Sequence, residues 1–564
     1  MLKTRSLLDN VKQTLLRFLR FVGPGFIIAV GYLDPGNWAS DAQAGSDFGY
    51  KLLFVILMSN IVAIYLQYLA IRLGTVSGLD LAQACRKFLP RWLNFILYLL
   101  CEAAIVSCDL AEVIGSAIAF NLLFGLALPI GVAITAADVI IILFFYKDNT
   151  KSMRIVRVFE GFVMILVTTV GICFVIELVY SKPVAVDVLK GYVPTKELFT
   201  DPAMLYIAIS IIGATVMPQY VSLYFTNNII ISYMSNSFRF NYSNLYLHSS
   251  LVQARCYQWK DSRPTSEEEI DLLESRKVLD AAIKTHLRYS FWDLFVALLF
   301  AFFVNCAILI VFSANFYYGP TQTSVGDLFT AHDLLQQYLG PAAAVIFALA
   351  LLCSGQSSTL TATMAGQIVM SGFLGLNSRP WLRRLVTRLI AIVPAMIAAI
   401  VSGKDGINNM LIASQVALSI QLPFAIVPLV VFTGMKRVMT ISVYNDSETS
   451  TCPDIAVDDD LLSERSKTDK SIKSRSHSTA PSSVHVCDAT LDMDTVTEAP
   501  IQTASDIKKS QSIHEIDEAS NNEIAPLVFA NNKLMNVVSG IVALVIICLN
   551  AYLVITLFMG TASA

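Results

Sequence analysis

Long apolar stretches alternate with short polar breaks along most of this chain. Eleven of them are long enough to cross a bilayer: about 18–44, 52–73, 93–123, 130–146, 158–180, 203–219 with a continuation near 244–253, 289–315, 340–373, 385–402, 409–434 and 534–558. They are numbered spans 1 to 11 below. Two polar segments interrupt the pattern. Residues 256–288 contain Pro264-Thr265-Ser266-Glu267-Glu268-Glu269, a capping-box pattern that opens a charged cytosolic helix. Residues 441–528 are rich in Ser, Thr, Asp and Glu and poor in aromatics, so they are expected to be disordered and cytosolic. The pattern divides the chain into a cytosolic tail at 1–17, a core of ten spans at 18–440, the acidic loop at 441–528, and a last span with the C-terminus at 529–564.

Two spans carry breaks at matching places. Span 1 reads Gly31-Tyr32-Leu33-Asp34-Pro35-Gly36-Asn37-Trp38 in its middle. A carboxylate at bilayer depth costs several kcal/mol or draws in water, so it marks a functional site. Pro35 removes a helix donor and Gly36 tolerates unusual backbone angles, so the helix is expected to stop and restart there, with its freed carbonyls and the Asp34 oxygens facing a cavity. Span 6 repeats the arrangement with Gly213-Ala214-Thr215-Val216-Met217-Pro218. Paired interrupted segments in two halves of five spans point to an inverted-repeat transporter with its site at the breaks. The alternative is a pair of proline kinks that serve packing alone, since prolines are common in membrane helices.

Composition agrees with a membrane protein. The 564 residues are 55% hydrophobic and 15% charged, with mean hydropathy +0.61, too apolar for a soluble enzyme and too long for one or two anchors. Basic residues cluster before span 1 (Lys3, Arg5, Lys12, Arg17, Arg20), between spans 2 and 3 (Arg86, Lys87, Arg91), between spans 4 and 5 (Lys147, Lys151, Arg154, Arg157), between spans 8 and 9 (Arg379, Arg383, Arg384) and after span 10 (Lys436, Arg437). This alternation places the N-terminus in the cytosol and the C-terminus outside. The first apolar run is too long for a cleavable signal. Ten cysteines form neither a disulfide framework nor a zinc-type pairing. No nucleophile–base or phosphate-loop constellation suggests an enzyme, and neither a resident cofactor nor a nucleic-acid partner is expected.

Ordered motifs sharpen the reading: Gly23-Pro24-Gly25-Phe26 through Trp38 in span 1, Asp109-Leu110-Ala111-Glu112 in span 3, Gly213 to Pro218 in span 6, Asn244-Leu245-Tyr246-Leu247-His248 after it, Gln356-Ser357-Ser358-Thr359 in span 8 and Ser414-Gln415-Val416 in span 10. This set resembles the Nramp (natural resistance-associated macrophage protein) family of proton-coupled divalent metal transporters. The resemblance implies an all-α polytopic membrane fold, LeuT-like, with an inverted 5+5 repeat, discontinuous helices 1 and 6 and an eleventh span. It implies Asp34 and Asn37 as oxygen ligands, the Ala214 carbonyl, the Met217 sulfur, and Gln415 as a further ligand; helix packing is the competing role for Gln415. Chemistry supports Met217 independently: a carboxylate alone favours Mg²⁺ and Ca²⁺, whereas a thioether prefers softer transition ions. For protons, Asp109 and Glu112 lie on one helix face, and the resemblance adds Arg388 and His248. A chain of carboxylates with an arginine is either a proton relay or a structural ion-pair network. The family more often has Gly at Ala362 and an acid at Ser371.

One departure falls in the site. The family runs M-P-H-N after the span 6 break, whereas here Met217-Pro218-Gln219 is followed by residues 220–243 before Asn244. Gln219-Tyr220-Val221 and Tyr242-Ser243-Asn244 are both encodable with splice signals whose removal restores His-Asn, so an intron read through is one reading and a true insertion the other.

The reading is symport of divalent transition-metal ions (Mn²⁺, Fe²⁺, with Cd²⁺, Zn²⁺ and Co²⁺ as further candidates) with protons toward the cytosol, by alternating access. The membrane is that of the cell surface or of an endosome or vacuole. The rivals are a metal-sensing or signalling protein of the same fold and an amino-acid carrier; Asp34 would repel the latter's carboxylate. Asp458-Asp459-Asp460-Leu461-Leu462 resembles an acidic dileucine sorting signal, or is a solvated charge run; sorting or ubiquitin machinery is the implied partner, beside metal ions, protons and the lipid bilayer.

Overall fold

The computed structural model describes residues 29–135, 153–217, 272–319, 328–374, 380–401, 403–441 and 526–559. Among these residues, helix occupies all eleven expected stretches. Six runs are long and apolar enough by themselves to cross a membrane, among them Pro35–Ser77, Arg91–Phe124, Ile283–Tyr317 and Lys533–Thr556. The apolar helices carry exposed Ile165, Ile400, Leu534 and Leu544 on their outer faces, each at least 60% exposed. Such a surface is a liability in water and the natural boundary with lipid.

Local chemistry sets the helix ends. Span 1 restarts at Pro35 and runs to Phe48, with Asp34 as its N-cap. Proline is favoured at the first helical position because its missing N–H would be unpaired there anyway. Span 2 (Leu53–Ser77) ends at Gly78 and span 3 (Arg91–Phe124) at Gly125, both at positive φ. Span 6 (Pro202–Val216) opens with an Asp201 cap and stops at Met217, which has left helical geometry. A residue before proline is crowded out of the α region, which accounts for the stop ahead of Pro218.

Close helix contacts use small residues. A Cβ on Gly115 of span 3 would lie 2.1 Å from the Pro35 ring, and one on Gly355 of span 8 (Pro341–Leu374) would lie 2.4 Å from Ser116 Oγ. Spans 3, 8 and 10 (Gly403–Gly434) therefore pack against the restarted span 1, and span 9 (Pro380–Val401) packs behind them on spans 3, 8 and 10.

Two boundaries differ from the sequence expectation. Span 7 is continuous from Leu272 to Phe312, so the end of the charged cytosolic helix is the beginning of the span and not a separate element. The acidic loop is shorter than 441–528, because Thr440–Ile441 (β1) pairs antiparallel with Leu527–Val528 (β2). Arg72 of span 2 clamps the returning strand, donating to Asn531 Oδ1 (2.5 Å) and the Phe529 carbonyl (2.5 Å). Asn531 in turn donates to Thr433 Oγ1 of span 10 (3.0 Å). A short helix, Leu81–Phe88, opened by an Asp80–Gln83 capping box, was not expected either. Its hydrophobic run is too brief to register as a periodic signal.

Candidate functional site

At the span 1 break the Asp34 carboxylate caps the new helix by accepting from Asn37 N (2.8 Å). The Asn37 side-chain amide donates to Asp34 Oδ1 (2.6 Å) and across to the Ala214 carbonyl on span 6 (3.1 Å). Ser40 and Ser210 share a 2.6 Å hydroxyl contact that ties the same two helices further out. Span 10 closes the third side. A Cβ on Gly36 would fall 1.7 Å from Gln415 Nε2, and one on Gly213 would fall 2.2 Å from the Gln415 carbonyl. Glycine at both positions lets the two breaks and Gln415 meet with nothing between them.

Asp34, Asn37, Ala214, Met217 and Gln415 are all buried, none more than 1% exposed. Asp34 Oδ2 and Gln415 Oε1 have no hydrogen-bond partner. Buried acceptors are normally satisfied, so two orphaned oxygens at one break are a place where a cation would repay its own desolvation. Met217, one turn beyond Ala214, adds a buried sulfur at the end of the same helix.

The expectation of freed carbonyls facing a cavity needs correcting. The Tyr32 carbonyl accepts from Asn305 Nδ2 of span 7 (3.1 Å), and the Leu33 carbonyl accepts from Trp38 Nε1 (3.1 Å) and from the Ser354 hydroxyl of span 8. The break is held by neighbouring side chains, which leaves the Asp34 carboxylate as its open acceptor. Asn305 and Ser354 were not singled out from the sequence. Their only signal was polarity inside apolar runs.

Asp109, Glu112 and Arg388 do come together. Arg388 Nη1 donates to Asp109 Oδ1 (2.8 Å) and Glu112 Oε2 (3.2 Å), and Nη2 donates to Thr359 Oγ1 (3.1 Å). All four residues are buried, so spans 3, 8 and 9 share one ion-pair network. Cys108 adds a 3.7 Å thiol contact to Glu112 Oε1. The polar stretch in the middle of span 8 thus hydrogen-bonds its neighbours through Ser354 and Thr359. His248 and residues 220–243 lie outside the described residues.

A chain whose described residues are almost all helical, in many spans around an interrupted first helix and an abruptly ended sixth, is a multi-pass integral membrane protein with its polar centre at those breaks. The family profile described as natural resistance-associated macrophage protein-like matches residues 25–231 and 241–447, and the chain belongs to this Nramp family. It is 47% identical over 424 residues to the divalent metal cation transporter MntH of Nostoc sp., covering 75% of this chain and 85% of that one. It is 43% identical over 455 residues to the manganese transporter SMF1 of Saccharomyces cerevisiae, covering 77% and 75%. The crystal structure of the Eremococcus coleocola manganese transporter, in complex with an aromatic bis-isothiourea substituted compound, superposes with a TM-score of 0.60 at 27% identity, covering 95% and 94%. The fold is accordingly the LeuT-like one of this family, with helix 1 interrupted at Asp34–Pro35, helix 6 stopping at Val216 and a last span at Lys533–Phe558.

Proposed function

We propose that the protein carries divalent transition-metal ions together with protons toward the cytosol by alternating access. The observation that carries this is the buried meeting of Asp34, Asn37, the Ala214 carbonyl and Gln415 at two helix ends, with two oxygens left unpaired. The Asn37 amide, donating to both Asp34 and Ala214, takes the electropositive role that an ion would take between them. Metal binding then turns this amide about its side-chain axis, so that its carbonyl oxygen joins Asp34, the Ala214 carbonyl and Gln415. Met217 supplies the sulfur that disfavours Ca²⁺ and Mg²⁺. Mn²⁺ and Fe²⁺ are the primary cargo, with Cd²⁺ tolerated; the names of the relatives support manganese.

Protons pass through Asp109 and Glu112, whose charge Arg388 balances, with His248 as a further carrier. The four-way contact at Arg388 supports this, because it links the span beside Pro35 to spans 8 and 9. Residues 220–243 bear on the activity of this form: the family match is broken between 231 and 241, inside that segment. We read it as an untranslated intron read through into the protein sequence, with a true insertion as the alternative, and sequencing of the mature transcript decides that point.

The test is uptake of radiolabelled Mn²⁺ at acidic and neutral external pH. It uses the chain as given and a chain in which Gln219–Ser243 is replaced by His. Uptake stimulated by acid and abolished by Asp34→Ala is the expected result. Uptake indifferent to Asp34→Ala defeats the proposal.

A further inference from the structure

Glu177 is a buried carboxylate that the proposed mechanism does not use. It lies one turn below the outer end of span 5 (Met153–Ser181), is 1% exposed, and neither of its side-chain oxygens has a hydrogen-bond partner. An ionised carboxylate without a partner is among the costliest groups to bury.

Contacts on either side of it tie span 5 to other helices. One turn beneath it, Phe174 meets Trp38 of span 1 edge to face at 4.6 Å, and Trp38 in turn packs on Phe347 of span 8. One turn above, Ser181 Oγ accepts from Asn315 Nδ2 at the end of span 7 (2.9 Å). Glu177 thus sits between two contacts that join span 5 to helices that meet at the candidate metal site. Cys173 on its own helix lies within electrostatic reach of it, and Cys353 of span 8 lies within reach of Cys173 in turn. The groups that meet span 5 one turn below and one turn above it, Trp38 and Asn315, are uncharged, and among the described residues no basic side chain forms an ion pair with it.

We propose that Glu177 is the proton acceptor of an outer seal made by those two contacts: it holds a proton while span 5 is packed on spans 1 and 7, and releases it to water when those contacts part. Each closure takes one proton from the outer side and each opening returns it to the same side. The proton is not carried across, which separates it from those assigned to Asp109 and Glu112. Outer acidity favours the sealed state, which a loaded carrier must reach before it opens inward. That consequence rests on the carrier reading, whereas the seal itself does not.

Cys173, one turn below Glu177 and 6% exposed, is a native reporter. Intact cells expressing the full chain are treated with a membrane-impermeant thiol reagent at acidic and neutral external pH, and a Cys173→Ser chain identifies the labelled site. In the native chain, labelling of Cys173 is expected to rise several-fold from acidic to neutral pH, beyond the rise due to thiol ionisation. Glu177→Gln, which keeps the shape of the protonated acid, gives that ionisation baseline and should label slowly at both pH values. Glu177→Asp should restore the native response. Asn315→Ala, which keeps Glu177 but loosens the upper contact, should raise labelling at acidic pH. The proposal is overturned if Glu177→Gln labels with the native pH response, or if Asn315→Ala labels as the native chain does. No metal is needed, so a chain that fails to take up Mn²⁺ can still show the switch, and a working carrier can lack it.

Discussion

Replacing Arg388 with Met removes the cation that pairs with both Asp109 Oδ1 at 2.8 Å and Glu112 Oε2 at 3.2 Å. The two carboxylates sit three residues apart on one face of span 3, and both are buried. Breaking a buried ion pair by removing one partner costs about 3–5 kcal/mol, because the remaining charge is left uncompensated. Here one arginine serves two carboxylates, so the upper end of that range applies. Replacing all three residues with apolar ones, as in Arg388→Met with Asp109→Leu and Glu112→Met, removes the desolvation burden altogether. Such replacements are neutral or stabilising by about 1–4 kcal/mol in other proteins. The triple variant is therefore expected to unfold near the native denaturant midpoint in detergent, and the single variant well below it. Proteoliposomes with an internal pH dye separate stability from function: the triple variant should show no proton flux with Mn²⁺. A triple variant that still moves protons with Mn²⁺ refutes the relay assignment. A single variant as stable as the native chain refutes the energetic argument.

Three further outcomes follow from the packing. Gly36→Ala meets the end of the flexible Gln415 side chain, so it should leave the fold intact and raise KM for Mn²⁺. Gly213→Ala meets the backbone of Gln415 and Ser419 instead, where no rotamer change helps; overpacking of this kind costs about 1–3 kcal/mol, and thermal unfolding in detergent should show it. Joining Ile441 to Leu527 through Asn-Gly in place of residues 442–526 makes a two-residue hairpin from an existing strand pair. That chain should be as monodisperse on size exclusion, and as active in Mn²⁺ uptake, as the chain carrying the loop; lost activity would assign the loop a part in transport.

Much of this architecture was legible in the sequence because a bilayer enforces a simple rule: each crossing needs a long apolar run. The breaks were legible too. Asp34-Pro35-Gly36 and Met217-Pro218 are local signals with local consequences, and the helix does restart at Pro35 and stop at Val216. The partners that hold those breaks were not legible, since Asn305 and Ser354 reach Tyr32 and Leu33 across some three hundred residues of chain. The Arg72–Asn531 clamp escaped for the same reason, as nothing near Arg72 announces a partner beyond the acidic loop. Periodicity likewise could not separate span 7 from the charged helix that leads into it, because both are helix and only the polarity changes.

In the proposed site a carboxylate and a thioether bind one ion. X-ray absorption at the cadmium edge, on purified protein loaded with Cd²⁺, reads those ligands directly. One sulfur among oxygen neighbours, lost in Met217→Ala and with bound Cd²⁺ itself lost in Asp34→Ala, is the predicted result. A spectrum with oxygen and nitrogen neighbours alone, or a sulfur that persists without Met217, would contradict it.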